Sequence, residues 1–130
     1  TEKEVADAVE AAKVRAAALD RRLHAEQPPV DLAGRPCVLV DDGLATGATM
    51  IAAVRWARRR GASRIVVAVP LGAAETVDLL RGEADAVVCP YPLDPFIAVG
   101  IWYEEFGEVR VEDVVRMLAE ARAQAAVGVG

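Results

Sequence analysis

Lysine is nearly missing from this chain. Lys3 and Lys13 are the only two, and none follows them. A Walker phosphate loop is thereby excluded, because its G-x-x-x-x-G-K-[ST] pattern needs a lysine to reach the phosphates. A receiver domain is disfavoured for the same reason, since its acidic pair works with a later lysine and a further aspartate at a strand end. Histidine is scarcer still. His24 stands alone near the end of a predicted helix, where a partly charged ring suits the dipole. No nucleophile lies close to it in sequence, so a structural role is expected. The two cysteines, Cys37 and Cys89, form neither a C-x-x-C nor a zinc spacing. They read as buried thiols of a reducing compartment, and a cytoplasmic location is expected.

Positive charge is also short. Fifteen Lys and Arg face 20 Asp and Glu, for a net charge of −5. Nucleic acid is therefore not an expected partner, since phosphate backbones call for a basic face. The cluster Arg55, Arg58, Arg59, Arg60 and Arg64 reads instead as a solvated helix end. No apolar run approaches the ~20 residues of a membrane helix. The stretch Thr1 to Glu10 is acidic and alternating, unlike a secretion signal or transit peptide. No internal repeat is visible.

What is present fits one α/β domain of 130 residues, 54% hydrophobic and 27% charged. Residues Glu2 to about Ala25 read as a long helix, with Val5, Val9, Ala12, Ala16, Leu19 and Leu23 on one packing stripe. Gln27 to Pro36 is a connector. Cys37–Val40, Ile65–Val69 and Ala86–Cys89 read as short strands, the first buried on both faces, and Pro70 and Pro90 end the second and third. Between them, Thr49–Arg60 and Ala74–Arg81 read as helices stopped by Gly61 and Gly82. Pro90 to Gly107 reads as irregular. A last helix runs from Val111 to about Ala125, with Val111, Val114, Val115, Leu118 and Ala121 inward, and Val127–Gly130 is expected to fray. Alternating strands and helices of this kind imply a parallel sheet.

The chemistry is concentrated after the first strand. In open α/β sheets ligands bind beyond the carboxyl ends of the strands. There the chain places Asp41 and Asp42, then Gly43 and Gly47, the hydroxyls of Thr46 and Thr49, and a helix N-terminus. A helix start offers free N–H groups and positive partial charge, so this is a cup for a phosphate beside two acceptors for sugar hydroxyls. With no lysine in the loop, such a cup relies on amides and hydroxyls. A dinucleotide fingerprint, G-x-G-x-x-G directly after the strand, is absent.

The segment Val38 to Met50, VLVDDGLATGATM, resembles the signature of type I phosphoribosyltransferases, and the similarity extends through RIVVAVPLGAAET and DPFIAVGIWYEEF, over about residues 14–122. It looks most like a bacterial group of predicted phosphoribosyltransferases. The resemblance implies a parallel sheet layered between flanking helices. It implies phosphoribosyl pyrophosphate as substrate, with Mg2+ bound on its pyrophosphate and a nitrogen base or other acceptor. By position, Asp41 and Asp42 would hold the ribose hydroxyls. Gly43, Leu44, Ala45, Thr46, Gly47, Ala48 and Thr49 would form the loop around the 5-phosphate. Phe96 would stack on the acceptor, with Trp102 and Tyr103 nearby.

Two departures stand out. Purine-specific members carry an acidic residue where this chain has Ala45, and alanine cannot move a proton. The family's pyrophosphate loop, typically an Arg-Gly-Gly run on an earlier strand, has no counterpart here, and three strands are fewer than the family's ~5. The chain thus resembles the carboxyl-terminal part of the fold, completed by an upstream half or by self-association. A binding or regulatory module that kept the loop without turnover is the alternative function.

Overall fold

The computed structural model describes residues 1–24 and 30–127. The ends of the expected connector and first helix, and the expected fraying at 128–130, lie outside the described residues. The chain divides into two compact units, Thr1–Pro29 with Gly107–Gly130, and Val30–Phe106.

The first unit is a pair of helices, α1 (Glu2–His24) and α4 (Val111–Val127). Arg22 of α1 reaches Glu112 of α4 at 2.8 Å. Val111, Val114, Val115 and Leu118 are half-buried as their spacing predicts, whereas Ala121 is exposed. The stripe expected to pack along α1 does not: no residue of α1 is buried, and Val5, Val9 and Leu19 are exposed. An apolar stripe shows only that a face can be buried, and burial needs a matching surface along its length. His24 donates locally from Nδ1 to the Asp20 carbonyl at 3.0 Å, as a structural residue would.

The second unit holds the sheet. Strands β1 (Pro36–Val40), β2 (Arg64–Ala68) and β4 (Ala86–Val88) pair in parallel in the order β1-β2-β4. Helices α2 (Ala48–Arg59) and α3 (Ala74–Arg81) lie on the chain path between them. Both crossovers advance across the sheet in the same direction, so their common handedness sets both helices on one face. That face is the core: Ile65 and Val67 meet Met50, Val54 and Ala57 of α2 and Val77 and Leu80 of α3, all buried.

The opposite face is bare. Val38, Val40 and Val88 are 60%, 74% and 54% exposed. β1 is therefore not buried on both faces as its unalternated apolar run suggested; it is half-buried at Cys37 and Leu39 only. A continuous apolar run marks a strand built for cover on both sides, and among the described residues only one side has it.

Pro70 and Pro90 interrupt the ladder without ending it. After them the chain forms two further short strands, β3 (Leu71–Ala73) and β5 (Tyr91–Leu93), paired in parallel. Proline lacks the N–H that a ladder requires, which is why the sequence reads as a stop. Yet Ala68 faces Val88 before the gap and Leu71 faces Tyr91 after it, the same sequence offset. The first strand behaves alike: Val40 faces Ala68, and beyond a gap Leu44 bridges Gly72, again with the offset unchanged. The expected irregular stretch from Pro90 thus contains β5 and a 3-10 turn at Val99–Trp102. One break crosses all three strands, and in β1 it falls on Asp41, Asp42 and Gly43.

Candidate functional site

The break explains how the acidic pair becomes available. Val40 ends a hydrogen-bonded ladder and Leu44 resumes it, donating to the Leu71 carbonyl at 3.1 Å and accepting from Ala73 at 2.9 Å. The three residues between leave the ladder at the sheet's carboxyl end. Asp41 and Asp42 are exposed there. The Asp41 carboxylate accepts the Asp42 N–H at 2.9 Å. Desolvation, with the neighbouring Asp41 charge second, holds the Asp42 carboxyl above the ordinary carboxylate range, against hydrogen bonds from its own and the Gly43 N–H.

Beyond Leu44 the chain turns into α2. Gly47 takes a left-handed conformation, φ 75°, at the helix N-cap, and no side chain caps that end. A Cβ at Gly47 would meet the Thr76 methyl at 2.6 Å, so only glycine lets the loop lie against α3. The first N–H groups of α2 have no partner within the helix. They open on a cavity of about 190 Å³ lined by Asp41, Gly43, Leu44, Ala45, Thr46, Gly47, Ala48, Thr49, Met50 and Val99. No cationic side chain is among those lining residues, so an anion there would rest on amides, hydroxyls and the helix dipole.

A second cavity, of about 350 Å³, is lined by Ala73, Ala74, Glu75, Leu93, Asp94, Pro95 and Phe96. The two cavities have no lining residue in common. The segment that carries Phe96 continues to Val99, whose methyls lie 2.8 and 2.9 Å from where a Cβ of Gly43 would be.

The sequence profile of the phosphoribosyl transferase domain matches residues 4–101. The chain belongs to the phosphoribosyl transferase domain family. Two proteins of Mycobacterium tuberculosis, provisionally named phosphoribosyl transferases, are 45% identical to it over 92 residues, which is 71% of this chain and 21% of theirs. A uracil phosphoribosyltransferase of Nocardioides sp. is 40% identical over 72 residues, 55% of this chain and 34% of that protein. The crystal structure of TT1426 from Thermus thermophilus superposes with a TM-score of 0.74 at 43% identity, covering 78% of this chain and 49% of that one. The chain thus spans half or less of the length of these relatives.

Within this phosphoribosyl transferase domain, Asp41 and every residue from Gly43 to Thr49 line one cavity. Asp42 stands beside that cavity and is not part of its lining, and Phe96 belongs to the second. Leu44 serves as an anchor: its side chain is core, 2% exposed, and its N–H and carbonyl are bound to Leu71 and Ala73. Three residues that the sequence reading did not assign to the loop contact it. Thr76 donates its hydroxyl to the Ala45 carbonyl at 2.6 Å, Tyr103 donates to the Asp42 carbonyl at 2.5 Å, and Val99 packs on Gly43. Thr76 carried a signal, being a polar residue on the apolar stripe it shares with Val77 and Leu80. Tyr103 had been grouped with Phe96 as a ring near the acceptor; its ring lies 5.3 Å from Phe106.

Three of the five arginines of the cluster are engaged. Arg55 pairs with Glu83 at 2.7 Å, Arg58 with Asp85 at 3.2 Å, and Arg60 lies over Trp56 at 5.3 Å. The described residues contain no group of three or more His, Cys, Asp or Glu placed to hold a metal. The adjacent acids could still complete the shell of a magnesium ion that arrives on substrate phosphates, because magnesium keeps several waters and takes few protein ligands. No helix among the described residues is long and apolar enough to cross a membrane.

Proposed function

We propose that this chain binds the ribose 5-phosphate part of phosphoribosyl pyrophosphate and that the protein transfers the phosphoribosyl group to a nucleobase. The observation that carries this is the break in β1, which puts two unpaired carboxylates at the rim of a cation-free cup made by the start of α2. A dianionic phosphate fits the cup, where first-turn amides and the Thr46 and Thr49 hydroxyls can donate. The ribose hydroxyls fall to Asp41 and Asp42. The second cavity, with Phe96 on its wall, suits a flat ring. Uracil phosphoribosyltransferases among the relatives support a pyrimidine or similar base as acceptor, and Ala45, unable to exchange a proton, fits poorly with purine chemistry.

In the transfer, the bond from the anomeric carbon to pyrophosphate breaks and its electron pair leaves with pyrophosphate. A ring nitrogen supplies the pair for the new bond and releases its proton. Positive charge builds on the sugar ring between these events. Asp41 and Asp42 stabilise that charge while fixing the ring, and the phosphate cup supplies binding energy remote from the reacting carbon. Magnesium, when bound, neutralises the departing pyrophosphate. A cytoplasmic location accords with the two free thiols, Cys37 and Cys89.

The test is calorimetry with phosphoribosyl pyrophosphate and magnesium on the chain and on Asp41→Asn plus Asp42→Asn. Binding by the first and none by the second is expected, and equal affinity would remove the assignment. Pyrophosphate release measured with uracil and other bases then separates an enzyme from a module that only binds.

A further inference from the structure

The loop from Asp41 to Thr49 is held by two hydroxyls that come from outside it. Thr76, in the first turn of α3, is 8% exposed, and its hydroxyl donates to the Ala45 carbonyl at 2.6 Å. Tyr103, just past the 3-10 turn, donates to the Asp42 carbonyl at 2.5 Å. Neither side chain lines the cup. Both act on carbonyls, and in a trans peptide the carbonyl and the following N–H point in opposite directions. A donor that fixes one therefore aims the other. Thr76 fixes the Ala45–Thr46 peptide and turns the Thr46 N–H away from α3. Tyr103 fixes the Asp42–Gly43 peptide, and with it the direction of the Gly43 N–H and the stretch of backbone that carries the Asp42 carboxylate.

Resting on the reading above, we propose that Thr76 and Tyr103 are positioning residues of the ribose-phosphate site: Thr76 sets the amide that faces the phosphate, and Tyr103 sets the carboxylate that faces the ribose. The two braces are independent in origin, one from a helix and one from the segment after it. Thr76 also adjoins the second cavity in sequence, since Glu75, the residue before it on α3, lines that cavity.

Two readouts test this on the full chain. The first needs no ligand: amide resonances and exchange rates of Gly43 and Thr46 in Thr76→Val, Thr76→Ser and Tyr103→Phe. Thr76→Val should shift Thr46 and speed its exchange while Thr76→Ser leaves it close to the parent; Tyr103→Phe should do the same to Gly43 alone. The second is calorimetry with ribose 5-phosphate as probe. Thr76→Val should weaken binding about tenfold, the worth of roughly one hydrogen bond, and Thr76→Ser should restore it to within about twofold. If Thr76→Val and Thr76→Ser behave alike in both readouts, or if Tyr103→Phe leaves Gly43 unmoved, the bracing is refuted. Should the parent chain bind no ribose 5-phosphate, the substrate reading fails, while the amide data still decide whether the two hydroxyls aim the loop.

Discussion

The two faces of the β1-β2-β4 sheet are made from the same residues in alternation, and they differ almost completely. On one, Ile65 and Val67 are wholly buried under α2 and α3. On the other, Val38, Val40 and Val88 look outward. The residue types do not distinguish them, since valine serves both. What differs is whether α2 and α3 lie over them. A parallel sheet with two apolar faces is half finished by two crossovers that advance in one direction, and the remaining face and the free edge of β1 call for further polypeptide. The relatives, which extend well beyond the matched region, show that such a fold occurs within larger chains.

Substitutions can sharpen that contrast. The largest effect is expected on the covered face, where Ile65→Ala should cost about 2–5 kcal/mol through lost burial and the cavity left behind, read from the urea midpoint. Next is the point at which the loop docks on that face. Gly47→Ala meets both the left-handed backbone and the Thr76 methyl, and should cost about 1–3 kcal/mol, with the same measurement. Val40→Thr on the bare face should change stability by less than about 0.5 kcal/mol. A large loss at Val40 in the isolated chain would mean that this face is covered in solution, which analytical ultracentrifugation would reveal as self-association.

Acid offers a subtler probe. The Ile65 N–H donates to Asp85 at 2.6 Å, and with Arg58 it holds that carboxyl below its ordinary value; Arg55 does the same for Glu83. A folded-state pKa lower than the unfolded one gives stability that is complete above the ordinary carboxylate range and is lost as pH falls through the lowered values. Asp42 has the opposite sign. Its raised pKa favours the fold below the ordinary value, and that advantage disappears as pH rises through the raised one. Unfolding followed from pH 7 to pH 3 should therefore show Asp85→Asn flattening the acid limb. Asp42→Asn should be slightly more stable than the parent at pH 7 and no different near pH 3.

Much of this was legible in the sequence. The loop 41–49 announced itself because acids, glycines and threonines each had a separate physical reason to stand there, and helix α3 begins and ends where its alanine start and Gly82 place it. The family assignment followed from the same string. Other features escaped for one reason: they depend on partners distant in sequence. Pro70 and Pro90 read as stops because a missing N–H is local, whereas the ladder that resumes beyond them is a property of three strands together. The stripe on α1 was visible, but whether anything covers it was not. Tyr103 looked like one more ring near Phe96, and only the fold brings its hydroxyl to the Asp42 carbonyl.

Because pairing returns after the gap with its count intact, the distance from Val40 to Leu44 is itself under constraint. Leu44 is anchored in the core, and Gly72 is the neighbour it must meet. Adding or removing one residue among Asp41, Asp42 and Gly43 would present the wrong side of the chain to that anchor. The tripeptide is thus a spacer as well as the proposed ligand set, and its length should tolerate less change than its chemistry.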